Sequence, residues 1–408
     1  MSLRAIMQSF TIEQFRHDFP FFQAENAAVY LDSAATTLRP QTLIDTTAEF
    51  YRSAGSVHRS QYDWQQTQHF EQARQLAADF IGAEDRDCIV WTSGTTHSLN
   101  AVAYGLAHLL QAGDQIIISE AEHHANFVIW QQLALQKQLQ LTVLPLQADY
   151  KIDEKALVQT LSANTKIVAL NWVSNITGYS QPIEQFCTLI RQLAANAFIV
   201  VDAAQAVLQH KMNLQTLDID FIAFSAHKLF GPTGLGVLSG KKTALEQLRP
   251  LFYGGKMVES VTPQSTTFQP LPYRLEAGTP NIAAVIGFGA VLAWLQQYHH
   301  ATLAHHTLTL ANLARLRLVQ YPHCRVFSAN DGHIVSFVFD NIENSDLSTL
   351  LNEQQIALRA GQHCAQPYLH FLHQYGTLRL SFAPYNNQQD IERFFVALDN
   401  ALAILEEQ

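Results

Sequence analysis

The chain has 408 residues, enough to bury a large core and to form two domains. Hydrophobic residues make up 48% and charged residues 15% of it, the balance of a compact globular protein. A formal net charge of -10 argues against nucleic acid or an anionic membrane as partner, and no apolar stretch is long enough to span a bilayer.

The segment over 1–20 is amphipathic and lacks the apolar core of a signal peptide, so a cytoplasmic location is expected. Apolar spacing then predicts a helix over 65–81, a strand over 89–92, a helix over 95–110, a strand over 115–119, a helix over 126–138 and a strand over 141–146. A strand over 167–172, a helix over 183–196 and strands ending at Asp202 and Ser225 follow. This alternation predicts an α/β fold around a mostly parallel sheet, with ligands bound beyond the carboxyl ends of the strands. The stretch over 254–280 is rich in turn formers and reads as a long excursion. Beyond it the pattern becomes α+β, with helices over 282–298 and 301–320, strands over 333–339 and 377–382, and a closing helix over 388–406. The expected division is a large domain over 20–285 and a small one built from 1–19 and 286–408.

Chemistry concentrates at the predicted strand ends. The apolar run Phe221-Ile222-Ala223-Phe224 leads into Ser225-Ala226-His227-Lys228 and then a Gly/Pro loop. A lysine delivered by a buried strand is poorly solvated, which lowers its pKa and lets a partly neutral amine form a Schiff base with an aldehyde cofactor. The plain alternative is a solvated lysine after a strand. Upstream, Phe198-Ile199-Val200-Val201 ends in Asp202, an acid able to keep a proton on a pyridine nitrogen; by itself it reads equally as a turn or cap residue. Trp91-Thr92-Ser93-Gly94-Thr95-Thr96 runs from strand to helix and suits a phosphate at the helix N-terminus, or an ordinary cap. His123 and His124 follow the 115–119 strand. Adjacent side chains diverge, so at most one belongs to a site, and no further ligand stands at metal spacing. Asn175 ends another strand, and Arg359 and Arg379 flank Cys364; an arginine among apolar residues pairs with an anion or in a structural salt bridge. The four cysteines, Cys88, Cys187, Cys324 and Cys364, form no close pair and are expected to be free thiols, Cys364 alone among small polar neighbours.

Together these motifs resemble the class II cysteine desulfurases, which include selenocysteine lyase-like proteins and belong to the fold-type I pyridoxal-phosphate enzymes. The resemblance rests on Tyr30-Leu31-Asp32-Ser33-Ala34-Ala35, Gly55-Ser56-Val57-His58-Arg59, Ala121-Glu122-His123-His124-Ala125-Asn126, Ser174-Asn175, Asp202-Ala203-Ala204-Gln205, Ser225-Ala226-His227-Lys228, Glu276-Ala277-Gly278-Thr279-Pro280-Asn281 and Arg359-Ala360-Gly361-Gln362-His363-Cys364-Ala365. It implies a seven-stranded large domain and pyridoxal 5'-phosphate held covalently by Lys228. Asp202 would pair with the ring nitrogen and Gln205 with the ring hydroxyl, while His123 stacks on the ring. Thr95, Thr96, Ser225 and His227 would hold the phosphate, joined by Thr279 from a second subunit of a homodimer. Asn175 and Arg379 would take the substrate carboxylate with Arg359 close by, and Cys364 would be the nucleophile. No metal is implied. Three positions depart from the common pattern: His97 stands where the family often has Glu, and Ala203 and Ala226 where it often has Gly.

The resemblance further implies that L-cysteine is converted to L-alanine. Its sulfur would pass as a persulfide on Cys364 to a small SufE-like acceptor protein or a thiol, as in iron–sulfur cluster assembly. L-Selenocysteine and cysteine sulfinate are further candidate substrates. Arg359, Arg379 and a protonated His363 are expected to favour the Cys364 thiolate, and His123 to protonate the leaving group. The alternative within the same fold is an aminotransferase or a kynureninase-like β-lyase; outside it, a catalytically silent scaffold.

Overall fold

The computed structural model describes residues 10–24, 27–53, 55–58 and 61–406. The first nine residues of the predicted N-terminal segment therefore lie outside the described residues. The remainder of that segment forms the helix Ile12–His17, capped by Thr11.

Seven strands form the larger sheet: β1 Ile89–Thr92, β2 Gln115–Ser119, β3 Gln140–Leu144, β4 Thr165–Asn171, β5 Phe198–Asp202, β6 Phe221–Ser225 and β7 Gly236–Gly240. Their spatial order is β1-β7-β6-β5-β4-β2-β3. Neighbours from β6 to β3 run parallel, whereas β7 is antiparallel to both β1 and β6. Every residue of β1, β2, β6 and β7 is buried, because helices cover both faces. Ile199, Val201, Ile222 and Phe224 enter one core with the helices Trp64–Ile81, Ile183–Leu193 and Ile282–Leu295. Their alternates Val200, Phe221 and Ala223 enter another, with the helices Thr95–Leu106 and His124–Lys137. The strand period of two thus divides one apolar run between two layers.

β7 was not predicted, since Gly236 and Gly240 make it read as loop. The glycines are required by packing. A Cβ on Gly236 would overlap the backbone of Gly94, and one on Gly240 the carbonyl of Asp220. Gly94, with φ of 151°, opens the turn from β1 into the helix Thr95–Leu106, so the β1–β7 contact sets where that helix begins. That helix stops short of the predicted end and passes into the single turn Ala107–Leu109. The helices Gln41–Arg52 and Glu154–Thr160 were also not predicted, and the 254–280 excursion carries an exposed hairpin, Val258–Val261 with Thr266–Phe268.

A second, antiparallel sheet has the order β8-β9-β11-β10, with β8 Cys324–Phe327, β9 Ile334–Phe339, β10 Arg359–Gly361 and β11 Thr377–Ser381. Its core joins Val335, Phe337, Leu378 and Leu380 to Leu310 and Leu318 of the helix His300–Leu318 and to Phe394 and Phe395 of the helix Gln388–Glu406. Among the described residues no single helix is long and apolar enough to cross a membrane. The helix Ile282–Leu295 is apolar all round because it is buried on nearly every face, and Gly287 and Gly289 let Leu43 and Ala73 approach it closely.

One buried ion pair ties the helix Trp64–Ile81 and the 254–280 excursion to β1 of the large sheet. Arg74, with no exposed surface, donates to both Glu276 oxygens at 2.6 and 3.0 Å and to the Ile89 carbonyl at 2.7 Å. Glu276 also accepts the Trp91 backbone N–H at 2.8 Å. Arg74→Met leaves Glu276 buried without its cation and is expected to cost about 3–5 kcal/mol, read as a lowered urea-unfolding midpoint. Adding Glu276→Gln should recover much of that loss.

Candidate active site

Past Ser225 the chain makes one tight turn, Ala226–Lys228, closed by the Leu229 and Gly231 N–H groups donating to the Ala226 carbonyl at 2.9 Å each. The turn puts the Lys228 side chain into a cavity of about 280 Å³ at the carboxyl ends of the parallel strands. Burial above all, with the Arg379 guanidinium, pushes the Lys228 amine down to about 8; Asp202 and Cys364 oppose this. Asp202 lines the same cavity from the end of β5, and its Oδ1 accepts the Ala204 N–H at 2.9 Å. Burial raises its pKa, while the Ala204 N–H and Lys228 pull it down.

His123 caps the helix His124–Lys137, its Nδ1 accepting the Ala125 N–H at 3.1 Å. That leaves the ring proton on Nε2. Burial, followed by Lys228, pushes this imidazole down to about 3, so it serves the cavity as a neutral donor. His124 turns outward, and its Nε2 lies 3.3 Å from the Gln366 N–H. Beneath the pair, Glu122 is fully buried between the Ser119 hydroxyl at 2.5 Å and the Asn126 amide at 2.6 Å, and burial pushes its carboxyl up to about 8.

Thr95, Thr96, Ser225 and His227 gather at the N-terminus of the helix Thr95–Leu106. The Ser225 hydroxyl oxygen is 2.7 Å from Thr95 Oγ1 and accepts the Thr95 N–H at 2.8 Å. His97, the departure from the common Glu, holds the same turn: its Nδ1 accepts the Ser93 N–H at 3.1 Å. Gln205 lines the cavity and donates to the Ala34 carbonyl at 2.8 Å.

On the opposite wall, the β10–β11 register sets Arg359 directly across from Arg379. Two guanidiniums so placed repel, and Asp32 stands between them, 3.3 Å from Arg359 Nε and 3.0 Å from Arg379 Nη2. Asp32 has no signal of its own in the sequence beyond its place in the Tyr30–Ala35 motif. Its place depends on a bridge to Ser381, which no local pattern reveals. Arg379 Nη1 also donates to the Asn175 carbonyl at 3.0 Å. Arg379 Nε, Asn171 Oδ1 and His363 Nδ1 are buried without hydrogen-bond partners on residues that line the cavity. Arg379 Nε is a charged donor and Asn171 Oδ1 an acceptor, while His363 Nδ1 is the bare nitrogen of a ring whose Nε2–H meets the Thr377 carbonyl at 3.1 Å. The open guanidinium edge and the helix N-terminus suit a ligand bearing carboxylate and phosphate groups.

Cys364 closes the cavity. His363 and Cys364 both take left-handed φ, 51° and 54°, a strained pair for non-glycine residues. The loop is held by Asn175 Nδ2 donating to the His363 carbonyl at 2.8 Å and His124 N–H donating to the Cys364 carbonyl at 2.7 Å. Cys364 is exposed and lines the cavity with Lys228. Burial pushes the thiols of Cys88, Cys187 and Cys324 up, to about 11, 12 and 12, so none of these supplies a thiolate near neutral pH. The expectation of a protonated His363 is corrected: burial, then Arg379, pushes its ring down to about 3, with Nε2 2.9 Å from Thr377 Oγ1. Cations near Cys364 are therefore Lys228, Arg359 and Arg379.

Every sequence-predicted site residue lines this cavity except Thr279. Thr279 lines a second cavity with His58, Lys256 and Tyr273. Arg59 lies outside the described residues.

The chain belongs to the aminotransferase class-V family, whose pattern matches residues 29–394. It is 58% identical over 399 residues to a probable cysteine desulfurase of Pasteurella multocida (strain Pm70), covering 98% of this chain and 94% of that one. It is 45% identical over 403 residues to cysteine desulfurase CsdA of Escherichia coli (strain K12), covering 98% and 100%. The crystal structure of the E. coli CsdA S-sulfonic acid form superposes with a TM-score of 0.92 at 44% identity, covering 97% of this chain and 100% of that one.

Because Asp202 holds the Lys228 amine up against burial, Asp202→Asn should lower the Lys228 pKa below its wild-type value near 8. In the apoprotein, reaction of Lys228 with a small amine-directed reagent, mapped by peptide mass, should rise with pH through about 8. In the variant that rise should move to lower pH.

Proposed function

We propose that the protein is a pyridoxal 5'-phosphate-dependent cysteine desulfurase that converts L-cysteine to L-alanine and carries the released sulfur as a persulfide on Cys364. The observation that carries this reading is one exposed, strained thiol sharing a cavity with a desolvated lysine amine.

When bound, the pyridoxal ring supplies an electron sink for the substrate's carbon skeleton. Lys228 would hold the cofactor and, once released by substrate, take the Cα proton with an amine already partly neutral. Asp202 would keep the ring nitrogen protonated; burial raises its pKa, and the Ala204 N–H and the Lys228 charge offset part of that rise. Gln205 would meet the ring hydroxyl, and the neutral His123 would lie on the ring, its Nε2–H ready to donate. Thr95, Thr96, Ser225 and His227 would hold the phosphate. Arg379, with its unpartnered Nε, and Asn175 would take the substrate carboxylate, with Arg359 across the register.

The Cys364 thiolate attacks the substrate sulfur. A sulfur–sulfur bond forms as the substrate Cβ–S bond breaks, and the electron pair stays with the carbon skeleton. Protons returned by Lys228 and solvent complete alanine, so no outside oxidant or reductant is needed. Exposure of Cys364 leaves the persulfide open to an acceptor thiol. We extend the reading to a SufE-like acceptor, a role in iron–sulfur cluster assembly, selenocysteine as a second substrate, a cytoplasmic location and a homodimer in which Thr279 serves the other subunit's site. The two sheets with separate cores support a large cofactor-binding unit and a small one that leads into the Cys364 loop from β10; past Cys364, Ala365, Tyr368 and Leu369 return to the large core, as do Phe15 and Phe19 of the N-terminal segment. The break fits better after Leu295 than at 285, because the helix Ile282–Leu295 packs whole into the large core.

Alanine and protein-bound sulfur measured after mixing with L-cysteine test the proposal; a keto acid as product would point instead to transamination. Cys364→Ser should retain the cofactor's absorbance while alanine formation from L-cysteine falls to background. Lys228→Ala should lose the absorbance band of the lysine-bound cofactor and at least ~100-fold in turnover, the smaller end of what positioned proton transfer contributes.

A further inference from the structure

We propose that Thr36, held by Arg39, sets the tautomer of His227 so that its Nε2 carries the ring proton and donates to an anionic group in the cavity. The inference rests on the reading of His227 as a phosphate ligand and assigns a positioning role to two residues outside that ligand set.

The assignment follows from counting lone pairs. The His227 carbonyl accepts the Thr37 N–H at 2.9 Å and the Thr37 hydroxyl at 3.0 Å, which fills its two acceptor positions. Thr37 Oγ1 itself accepts the Phe230 N–H at 2.7 Å, so its own proton is directed at His227 O. The Thr36 hydroxyl oxygen lies 3.2 Å from both His227 O and His227 Nδ1. It accepts from Arg39 Nη2 at 2.8 Å and has a single proton to give. With the carbonyl already satisfied, that proton goes to Nδ1, which must then be the bare nitrogen. The opposite tautomer would fill both lone pairs of that hydroxyl, one from Nδ1–H and one from Arg39 Nη2, and leave its proton only the His227 carbonyl among these neighbours. It would thus force a third donor onto one carbonyl.

The tautomer matters because the ring stays neutral. Burial, with the charges of Lys228 and Arg39 nearby, pushes the His227 imidazole down to about 4. A neutral imidazole has one N–H, so the nitrogen that Thr36 does not occupy offers either a donor or a repelling lone pair to an anion. The chain Arg39–Thr36–His227 makes it a donor. Arg39 thus adds order without placing its own charge in the cavity, which it does not line.

Two measurements test this. In 15N-histidine-labelled apoprotein, with the His227 signals identified by their loss in His227→Asn, the wild type and Thr36→Ser should show the proton on Nε2; a proton on Nδ1 in the wild type overturns the proposal. In titrations of apoprotein, Thr36→Val should bind pyridoxal 5'-phosphate roughly tenfold more weakly, the worth of one hydrogen bond to a charged group. The same variant should bind pyridoxal, which lacks the phosphate, as the wild type does, and Thr36→Ser should restore phosphate affinity. An equal loss for both compounds would mean a scaffold role only and sink the inference. If wild-type apoprotein binds neither compound, the cofactor reading itself fails, and the nitrogen spectra still decide the tautomer.

Discussion

Desolvation of the Lys228 amine opposite the Asp202 carboxylate is the interaction around which the large sheet is arranged. Each group alone would be costly to bury, and each moves toward its neutral form as it is buried. Their mutual attraction offsets part of that cost only if both stay at one edge of the sheet. The parallel register between β5 and β6, with Asp202 beside Ala223, places them there, at the strand ends where the sheet stops and the cavity opens. The antiparallel β7 completes the edge by bringing Gly236 against Gly94, which positions the helix N-terminus beside Ser225.

The other wall solves a different electrostatic problem. Arg359 and Arg379 face each other across two strands, and the arrangement holds because Asp32 arrives from the far end of the chain. The acid satisfies part of each guanidinium and leaves Arg379 Nε open. The strained His363–Cys364 segment is pinned by contacts from Asn175 and His124, both on the large-sheet side. The thiol therefore sits where the two sheets meet, exposed to solvent and within electrostatic reach of Lys228. The three other thiols are withdrawn from reaction by burial or by distance from the cavity.

Most of the site was legible because its residues stand at strand ends, and strands buried on both faces leave an unmistakable apolar run. The runs ending at Asp202 and Ser225, and the strand-to-helix turn at Thr95, are of this kind. β7 was illegible because glycines demanded by close backbone packing look like loop residues. Asp32, Thr36 and Arg39 were illegible as site residues for another reason. The partners of Thr36 and Asp32 lie 191 and 347 residues away, and Arg39 meets His227 only through Thr36, so no local periodicity encodes these contacts.

Sequence alone determined the strand and helix alternation, the chemical types at the strand ends and the odd character of Cys364, since hydrophobic spacing and side-chain identity are local properties. Tertiary structure alone decided protonation and direction. It made His363 neutral rather than cationic, turned His123 inward and His124 outward, and placed an acid between two arginines. Burial, tautomer and charge pairing depend on which distant groups share a low-dielectric space, and only the folded chain specifies that.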